Sequence, residues 1–350
     1  MHYNEDTVSR WNPNNAYQSR KERFVNHMLK VAVVGVGGMG NVHIKAYRRM
    51  QDVQLVALCD VVPEKITDLC AELGARGYTD YREMLGQEEI DILDIVTPSY
   101  IHKEIAIAAM EKGINVTTEK PIALCEQDAK DVFDCAKRTG VKFMVAHVLR
   151  FWPEYQALKR MVEEKTYGEL LDARLFRIGR APKWSWDNWM MDKERSGWVP
   201  FDLHIHDLDF ILYLMDGKMP DGIQVHRITN METATMDHVM AAYTFGKTVF
   251  NTEAAWFDST YPFTAGFLAH FEQAIVEYNG KAVTVYTRDE EGKTLEFGAQ
   301  GDSTGINLPD TDAYYNELRY FADHVAQDKP IDCMKEEELT NVLNIIDNHF

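Results

Sequence analysis

The sequence predicts two unlike domains: an α/β domain on a doubly wound parallel sheet, then an α+β domain with a large, open, mostly antiparallel sheet. Three observations lead there. Short apolar runs alternate with helical periodicity from Leu29 to Ala146, the alternation stops near Arg150, and strand-like runs joined by hairpin turns follow. A chain of 350 residues also exceeds what one hydrophobic core usually organises.

The elements follow in order. Residues 1–28 read as a polar N-terminal arm, with the turn-like Trp11-Asn12-Pro13-Asn14-Asn15 interrupting any helix. Val31–Gly35 is a continuous apolar run, as expected of a strand buried on both faces, and a helix is expected from Gly38 to Met50. Val53–Cys59 is a second strand. Pro63 opens a helix whose Ile66, Leu69, Cys70 and Leu73 share a face, with Gly74 closing it. Ile90–Val96, Ile114–Thr117 and Val141–Ala146 are further strands, separated by helices that end at Gly113 and Gly140. The first domain is therefore assigned to 29–149 and the second to 150–350. In the second, a helix runs from Pro153 to Val162, a strand from Leu170 to Ile178, a Trp-rich irregular stretch from Pro182 to Trp198, and a helix from Pro200 to Leu214. Strands are expected at 223–228, 238–245, 248–255, within 263–278 and at 282–286, with hairpin turns at Gly246 and Gly280. Helices around Tyr315–Val325 and Glu336–His349 complete the chain.

Composition excludes several roles. Asp and Glu outnumber Lys and Arg by 55 to 37, a net charge of −18 that repels phosphate-rich partners, so nucleic acid is not expected. No apolar run approaches the roughly 20 residues of a membrane span. The polar N-terminus lacks a signal-like apolar region, and Cys59, Cys70, Cys125, Cys135 and Cys333 are widely spaced, which fits free thiols in a reducing cytoplasm.

Two segments carry chemistry. Gly35-Val36-Gly37-Gly38-Met39-Gly40 is G-x-G-x-x-G at the end of a strand and the start of a helix. Gly35 permits the turn, Gly37 lets the backbone approach a pyrophosphate, Gly40 lets the helix pack closely, and the helix N-terminus with Gly38 and Met39 presents free N–H groups. Asp60 ends the second strand 20 residues later, where a carboxylate receives ribose hydroxyls and repels a 2′-phosphate. Val61, Val62 and Pro63 supply no cation for such a phosphate, so NAD is expected as cofactor, although the same carboxylate could simply cap the next helix. The second segment is Pro200–Phe210. On an α-helix, Asp202, His206 and Asp209 share a face, and a carboxylate one turn from an imidazole could orient it as a proton acceptor. His204 and His206 point about 200° apart on such a helix, so no metal is expected there. Lys120, fixed by Pro121 after a parallel strand, stands where ligands bind in such sheets.

Taken together, Gly35–Gly40, Asp60, Thr97-Pro98-x-x-x-His102, Glu119-Lys120-Pro121, His147-x-x-Arg150 and Asp202-x-x-x-His206 resemble the glucose–fructose oxidoreductase/inositol dehydrogenase (Gfo/Idh/MocA) family, from Leu29 onward. The resemblance implies an α/β Rossmann domain plus an open-sheet α+β domain, with the site between them. It implies that Lys120 hydrogen-bonds the reacting hydroxyl, that His206 is the acid/base and that Asp202 is its partner on the substrate. Thr97, Pro98 and His102 would border the cofactor, with Glu119 behind the nicotinamide. It also implies a homo-oligomer formed through the open sheet. His204 stands where many members have Gly, and the chain ends inside its last helix, where members commonly continue.

The expected activity is an NAD-dependent dehydrogenase acting on a ring hydroxyl of a sugar, an inositol-like polyol or a glycoside, with C3 of a glycoside the boldest version. Trp184, Trp186, Trp189 and Trp198 offer stacking surfaces for sugar faces, or else plain core packing. Arg150, Trp184, Trp189 and His204 are the candidate substrate contacts, and Arg177, Arg180 and Lys183 are further candidates to line the pocket. The rival readings are NAD-dependent glycoside cleavage through transient oxidation and a non-catalytic NAD-binding sensor.

Overall fold

The computed structural model describes residues 28–231, 236–297 and 312–350; the arm expected over 1–28 lies, Met28 apart, outside the described residues. The first domain is a six-stranded parallel sheet in the order β3-β2-β1-β4-β5-β6. Its strands are β1 (Leu29–Val34), β2 (Val53–Cys59), β3 (Arg76–Tyr78), β4 (Ile92–Ile95), β5 (Asn115–Glu119) and β6 (Phe143–Ala146). Helices α1 (Gly38–Arg48), α2 (Thr67–Leu73), α3 (Tyr81–Gln87), α4 (His102–Glu111) and α5 (Glu126–Thr139) connect them. The expected strands are all present because each is apolar enough to be covered on both faces: Val31, Ala32, Val33, Ile92, Leu93 and Val116 are fully buried.

Two elements escaped the sequence reading. The edge strand β3 is three residues long and largely exposed, and α3 is a two-turn helix capped by Asp80 through the Arg82 N–H. Neither buries enough apolar side chains to show periodicity. The helix expected from Pro63 begins instead as a 3₁₀ turn, Pro63–Lys65, before α2, and Gly74 ends it at φ 65° as anticipated.

The second domain is an eight-stranded sheet, order β14-β13-β12-β11-β7-β10-β9-β8. The strands are β7 (Leu170–Arg180), β8 (Gly222–Thr229), β9 (Met236–Phe245), β10 (Thr248–Phe257), β11 (Thr264–Phe271), β12 (Ala274–Tyr278), β13 (Val283–Thr287) and β14 (Lys293–Leu295). All neighbours are antiparallel except β7 and β10, which run parallel because the long connection through the Trp-rich stretch crosses over. One face buries Ala173, Leu175, Phe250 and Phe267 under helices α6 (Pro153–Glu163) and α8 (Ile205–Leu214). The other leaves Met240, Ile275 and Tyr286 exposed. The Trp-rich stretch holds a 3₁₀ segment, Trp186–Met191, and the short α7 (Lys193–Ser196).

The last two helices tie the domains together. α9 (Ala313–Ala326) packs on α1, and α10 (Glu336–His349) packs on both α5 and α8. This return of the chain is what holds the carboxyl ends of the parallel strands against α8. Among the described residues no helix is long and apolar enough to cross a membrane.

The glycine turn is the tightest point of the first domain. A Cβ on Gly40 would lie 2.1 Å from the Gly35 carbonyl oxygen, so the first turn of α1 seats directly on the end of β1. Gly40→Ala is expected to cost roughly 1–3 kcal/mol through forced displacement of that backbone. Thermal unfolding with dinucleotide absent checks this: an unchanged melting curve would contradict the seating.

Candidate active site

The dinucleotide turn comes first. Gly35 takes φ 93°, and a Cβ there would sit 2.4 Å from Val96 O, so only glycine fits between β1 and β4. A Cβ on Gly37 would meet nothing within 4 Å, which leaves the backbone of the turn open to an incoming group. Gly38 and Met39 begin α1, with their N–H groups at its positive end. The Asp60 carboxylate accepts hydrogen bonds from Val36 N–H at 2.8 Å and Val62 N–H at 2.9 Å, bracing the turn from β2. Lys65 lies 3.3 Å from Asp60 Oδ1, a neighbouring cation that a reading confined to residues 61–63 overlooked.

Thr97 and Pro98 leave the end of β4, and the half-buried Thr97 carries a hydroxyl with no partner among the described residues. His102 does not border an open site. It is 1% exposed, and its ring nitrogens stand 2.8 Å from both Thr97 O and Pro121 O, so it braces the β4 exit against the Lys-Pro turn. Open glycine backbone, a free helix terminus and an unpartnered threonine hydroxyl are the features an NAD pyrophosphate and nicotinamide arm require, so the residues present fit that cofactor.

Lys120 reaches across the domain seam. Its Nζ donates to the Asp202 carbonyl at 2.7 Å and to Asp202 Oδ1 at 3.0 Å, joining residues 82 positions apart. An ammonium has three hydrogens, so one remains for a further acceptor. His206 follows one turn later. Burial, then the charges of Lys120, Arg177 and His147, push its pKa well below the ordinary value of 6.5, and its Nδ1 has no partner among the described residues.

This corrects the expected Asp202–His206 unit. Residues Pro200–His204 form a π turn leading into α8, and the Asp202 side chain is bonded to Lys120 while His206 Nδ1 has no partner among the described residues. The Asp202 carboxylate is committed to Lys120, and the imidazole stays neutral instead of being supported as a cation.

Two candidate substrate contacts are also corrected. Arg150 is 2% exposed and already engaged: two bonds to Asp209 at 2.7 and 2.9 Å, one to Glu338 at 2.8 Å and one to Cys333 O at 2.9 Å. Four of its five guanidinium N–H groups are bonded, and it anchors α8 to α10. His204 is fully buried, with Nε2 2.6 Å from Tyr243 Oη and its ring against Phe350; burial lowers its pKa to about 3. Of the further candidates, Arg177 is buried on Asp207 at 3.1 Å and Lys183 pairs with Asp258 at 2.9 Å. Trp184 is 74% exposed, whereas Trp189 packs half-buried against Met190 and Val199.

His43 and Asp94 left no sequence signal, and His147 stands only within the resemblance motif, without a role. His147, 3.5 Å from Asp209, has its pKa lowered to about 4 by burial. His43 lies between Asp94 at 2.8 Å and Glu119 at 3.2 Å, and Glu119 also accepts the Lys120 N–H at 3.0 Å. These meet only through strand order. No group of metal-ligating side chains occurs among the described residues.

Known proteins agree with this architecture. The family model for the Gfo/Idh/MocA oxidoreductase family, NAD-binding Rossmann fold, matches residues 29–147, and the model for the GFO/IDH/MocA C-terminal domain matches residues 155–277. The chain belongs to the Gfo/Idh/MocA oxidoreductase family. It is 32% identical over 192 residues to 2,7-anhydro-N-acetylneuraminate hydratase of Mediterraneibacter gnavus, covering 55% of this chain and 50% of that one. It is 28% identical over 218 residues to D-glucoside 3-dehydrogenase of Escherichia coli, covering 61% of each. The chain thus spans about half to three-fifths of the length of these curated relatives. A solved levoglucosan dehydrogenase, in complex with NADH and levoglucosan, superposes with a TM-score of 0.78 at 22% identity, over 91% of this chain and 95% of that one.

Arg150→Leu strands Asp209 and Glu338 as buried, unpaired carboxylates, at an expected cost of about 3–5 kcal/mol. Chemical denaturation reads this. A variant of native stability, altered only in substrate affinity, would restore Arg150 to the pocket wall.

Proposed function

We propose that this protein is an NAD-dependent oxidoreductase that transfers a hydride between the nicotinamide and a ring hydroxyl or ketone of a sugar, polyol or glycoside. The observation that carries the proposal is the Lys120–Asp202 bond, which sets an ammonium from the end of β5 beside the helix that bears a neutral histidine. When bound, the nicotinamide supplies the hydride acceptor. Lys120 directs its remaining N–H to the reacting oxygen and stabilises negative charge developing there, an effect worth a few kcal/mol. His206 accepts the hydroxyl proton, Asp202 holds Lys120 in place, and Asp60 with the Gly35–Gly40 turn holds the dinucleotide.

The substrate is a neutral carbohydrate. With Arg150 and Arg177 both consumed by internal carboxylates, neither is free to clamp an acid. The exposed Trp184 is a candidate stacking face for a sugar ring. The similarity to a D-glucoside 3-dehydrogenase supports C3 of a glycoside as the carbon oxidised. The similarity to a hydratase supports a second reading, transient oxidation with the coenzyme regenerated in each cycle. The setting is the cytoplasm, with self-association through the open sheet.

A panel of glycosides, inositols and free sugars, incubated with enzyme and NAD and followed at the NADH absorbance band, tests the assignment. Sustained NADH formation favours the dehydrogenase, whereas product without net NADH favours the transient cycle. Lys120→Ala should lower turnover about 10²–10³-fold with NADH binding retained, and His206→Asn about 10²–10⁴-fold. A general base must be unprotonated. Since the free His206 pKa is depressed, kcat/KM for oxidation should hold steady as pH falls through 6.5 and decline only well below it. A half-maximal point at 6.5 would contradict that depression and, if it persisted in His206→Asn, would remove His206 as the base.

A further inference from the structure

Behind Lys120, on the side away from Asp202, three ionisable groups are buried together. His43 on α1 is fully buried, as is Asp94 on β4, and Glu119 closes β5 at 9% exposed. The Nδ1 of His43 is 2.8 Å from Asp94 Oδ2, and its Nε2 is 3.2 Å from Glu119 Oε1, an ionic contact off the line of a good hydrogen bond. A neutral imidazole can donate from only one nitrogen, yet both nitrogens here face carboxylate oxygens. The other Glu119 oxygen accepts the backbone N–H of Lys120 at 3.0 Å, which turns that carboxylate back under the residue that follows it. Burial opposes its charge, but the close contact and charge of His43, with Lys120 nearby, hold its pKa below the ordinary value. Glu119 also feels the charge of Lys120 and lies near His102, whose buried ring has its pKa lowered by burial, and further polar neighbours come from α9 and α1. The Tyr314 ring centre lies 6.1 Å from that of His43, Tyr47 is buried on the same helix as His43, and Glu317 is fully buried with neither oxygen partnered among the described residues. Burial and the nearby Asp94 and Glu119 charges push Glu317 well above the usual carboxylate range, so it is neutral.

We propose that His43 is a positioning residue for the reaction centre: a fixed imidazolium, shared by Asp94 and Glu119, that holds Glu119 beneath the Lys120 amide and leaves one net negative charge behind the coenzyme ring. This rests on the NAD reading above. In a doubly wound sheet the coenzyme lies across the strand ends at the switch point. Asp60 on β2 takes the adenosine half, so the ends of β4 and β5 take the other half, next to Glu119. A net negative charge there favours the cationic oxidised coenzyme over the neutral reduced one. Were His43 absent, two buried carboxylates would share the site with no cation between them and only Lys120 to one side, and one would take up a proton in the working pH range.

The experiment measures NAD⁺ and NADH affinities of the whole protein by titration between pH 6 and 9, and needs no sugar. In the unmodified protein the ratio of the two affinities is expected to stay flat, because the cluster keeps its charge. In His43→Gln the ratio should vary with pH by roughly fivefold, and in His43→Gln/Asp94→Asn it should be flat again. Asp94→Asn alone, which keeps the imidazole and removes one charge, should shift the ratio toward NADH at every pH and serves if His43→Gln does not fold. A ratio in folded His43→Gln as flat as in the unmodified protein, or an unshifted ratio in Asp94→Asn, overturns the assignment. Failure of the unmodified protein to bind either coenzyme overturns the NAD reading itself, a different result from failure of the His43 role.

Discussion

A charge leaves water only with a partner, and the seam between the two sheets is organised by that constraint. Lys120 crosses it to Asp202, Arg150 joins Asp209 of α8 to Glu338 of α10, and His43 bridges Asp94 and Glu119 under the strand ends. Burying any one of these charges alone would cost several kcal/mol. The reactive groups therefore stand at the surface of a layer whose charges are already matched. The Lys120–Asp202 contact is the one that joins chemistry to architecture, because its two halves come from different domains.

That layer also explains why so few of the basic side chains near the site are free. Arg150 and Arg177 hold helix α8 against its neighbours, and each faces a carboxylate on that helix, Asp209 and Asp207. His206 lies among cations with no carboxylate bonded to its Nδ1, which keeps it neutral and able to accept a proton. Asp202 lies in a short π turn before α8 and is bonded to Lys120. π turns recur at functional sites because the extra residue re-aims side chains without breaking the helix.

Much of the scaffold could be read from residues alone. The strands of the parallel sheet are apolar on both faces and the helices end at glycines, so local pattern and final burial agree, while β3 and α3 are too short and too exposed to leave a period. Gly35 and Gly40 were legible because backbone contact forbids any side chain there. Arg150 and His204 were misread as pocket residues because polarity in sequence does not reveal burial; each had found a partner far along the chain, Glu338 and Tyr243.

What the sequence by itself determined is whatever depends on near neighbours: the alternating elements, the glycine turn with Asp60 at the next strand end, and the presence of Lys120 and His206 at the ends of suitable elements. Only the tertiary structure decided which charges meet. Strand order brought Asp94 and Glu119 to opposite sides of His43, the return of α9 and α10 brought Glu317 and Glu338 to the seam, and the meeting of the two domains gave the Asp202 carboxylate to Lys120. The physical reason is range. Backbone geometry and periodicity act over a few residues, whereas electrostatic pairing in a buried seam depends on distances that exist only once the sheets are packed.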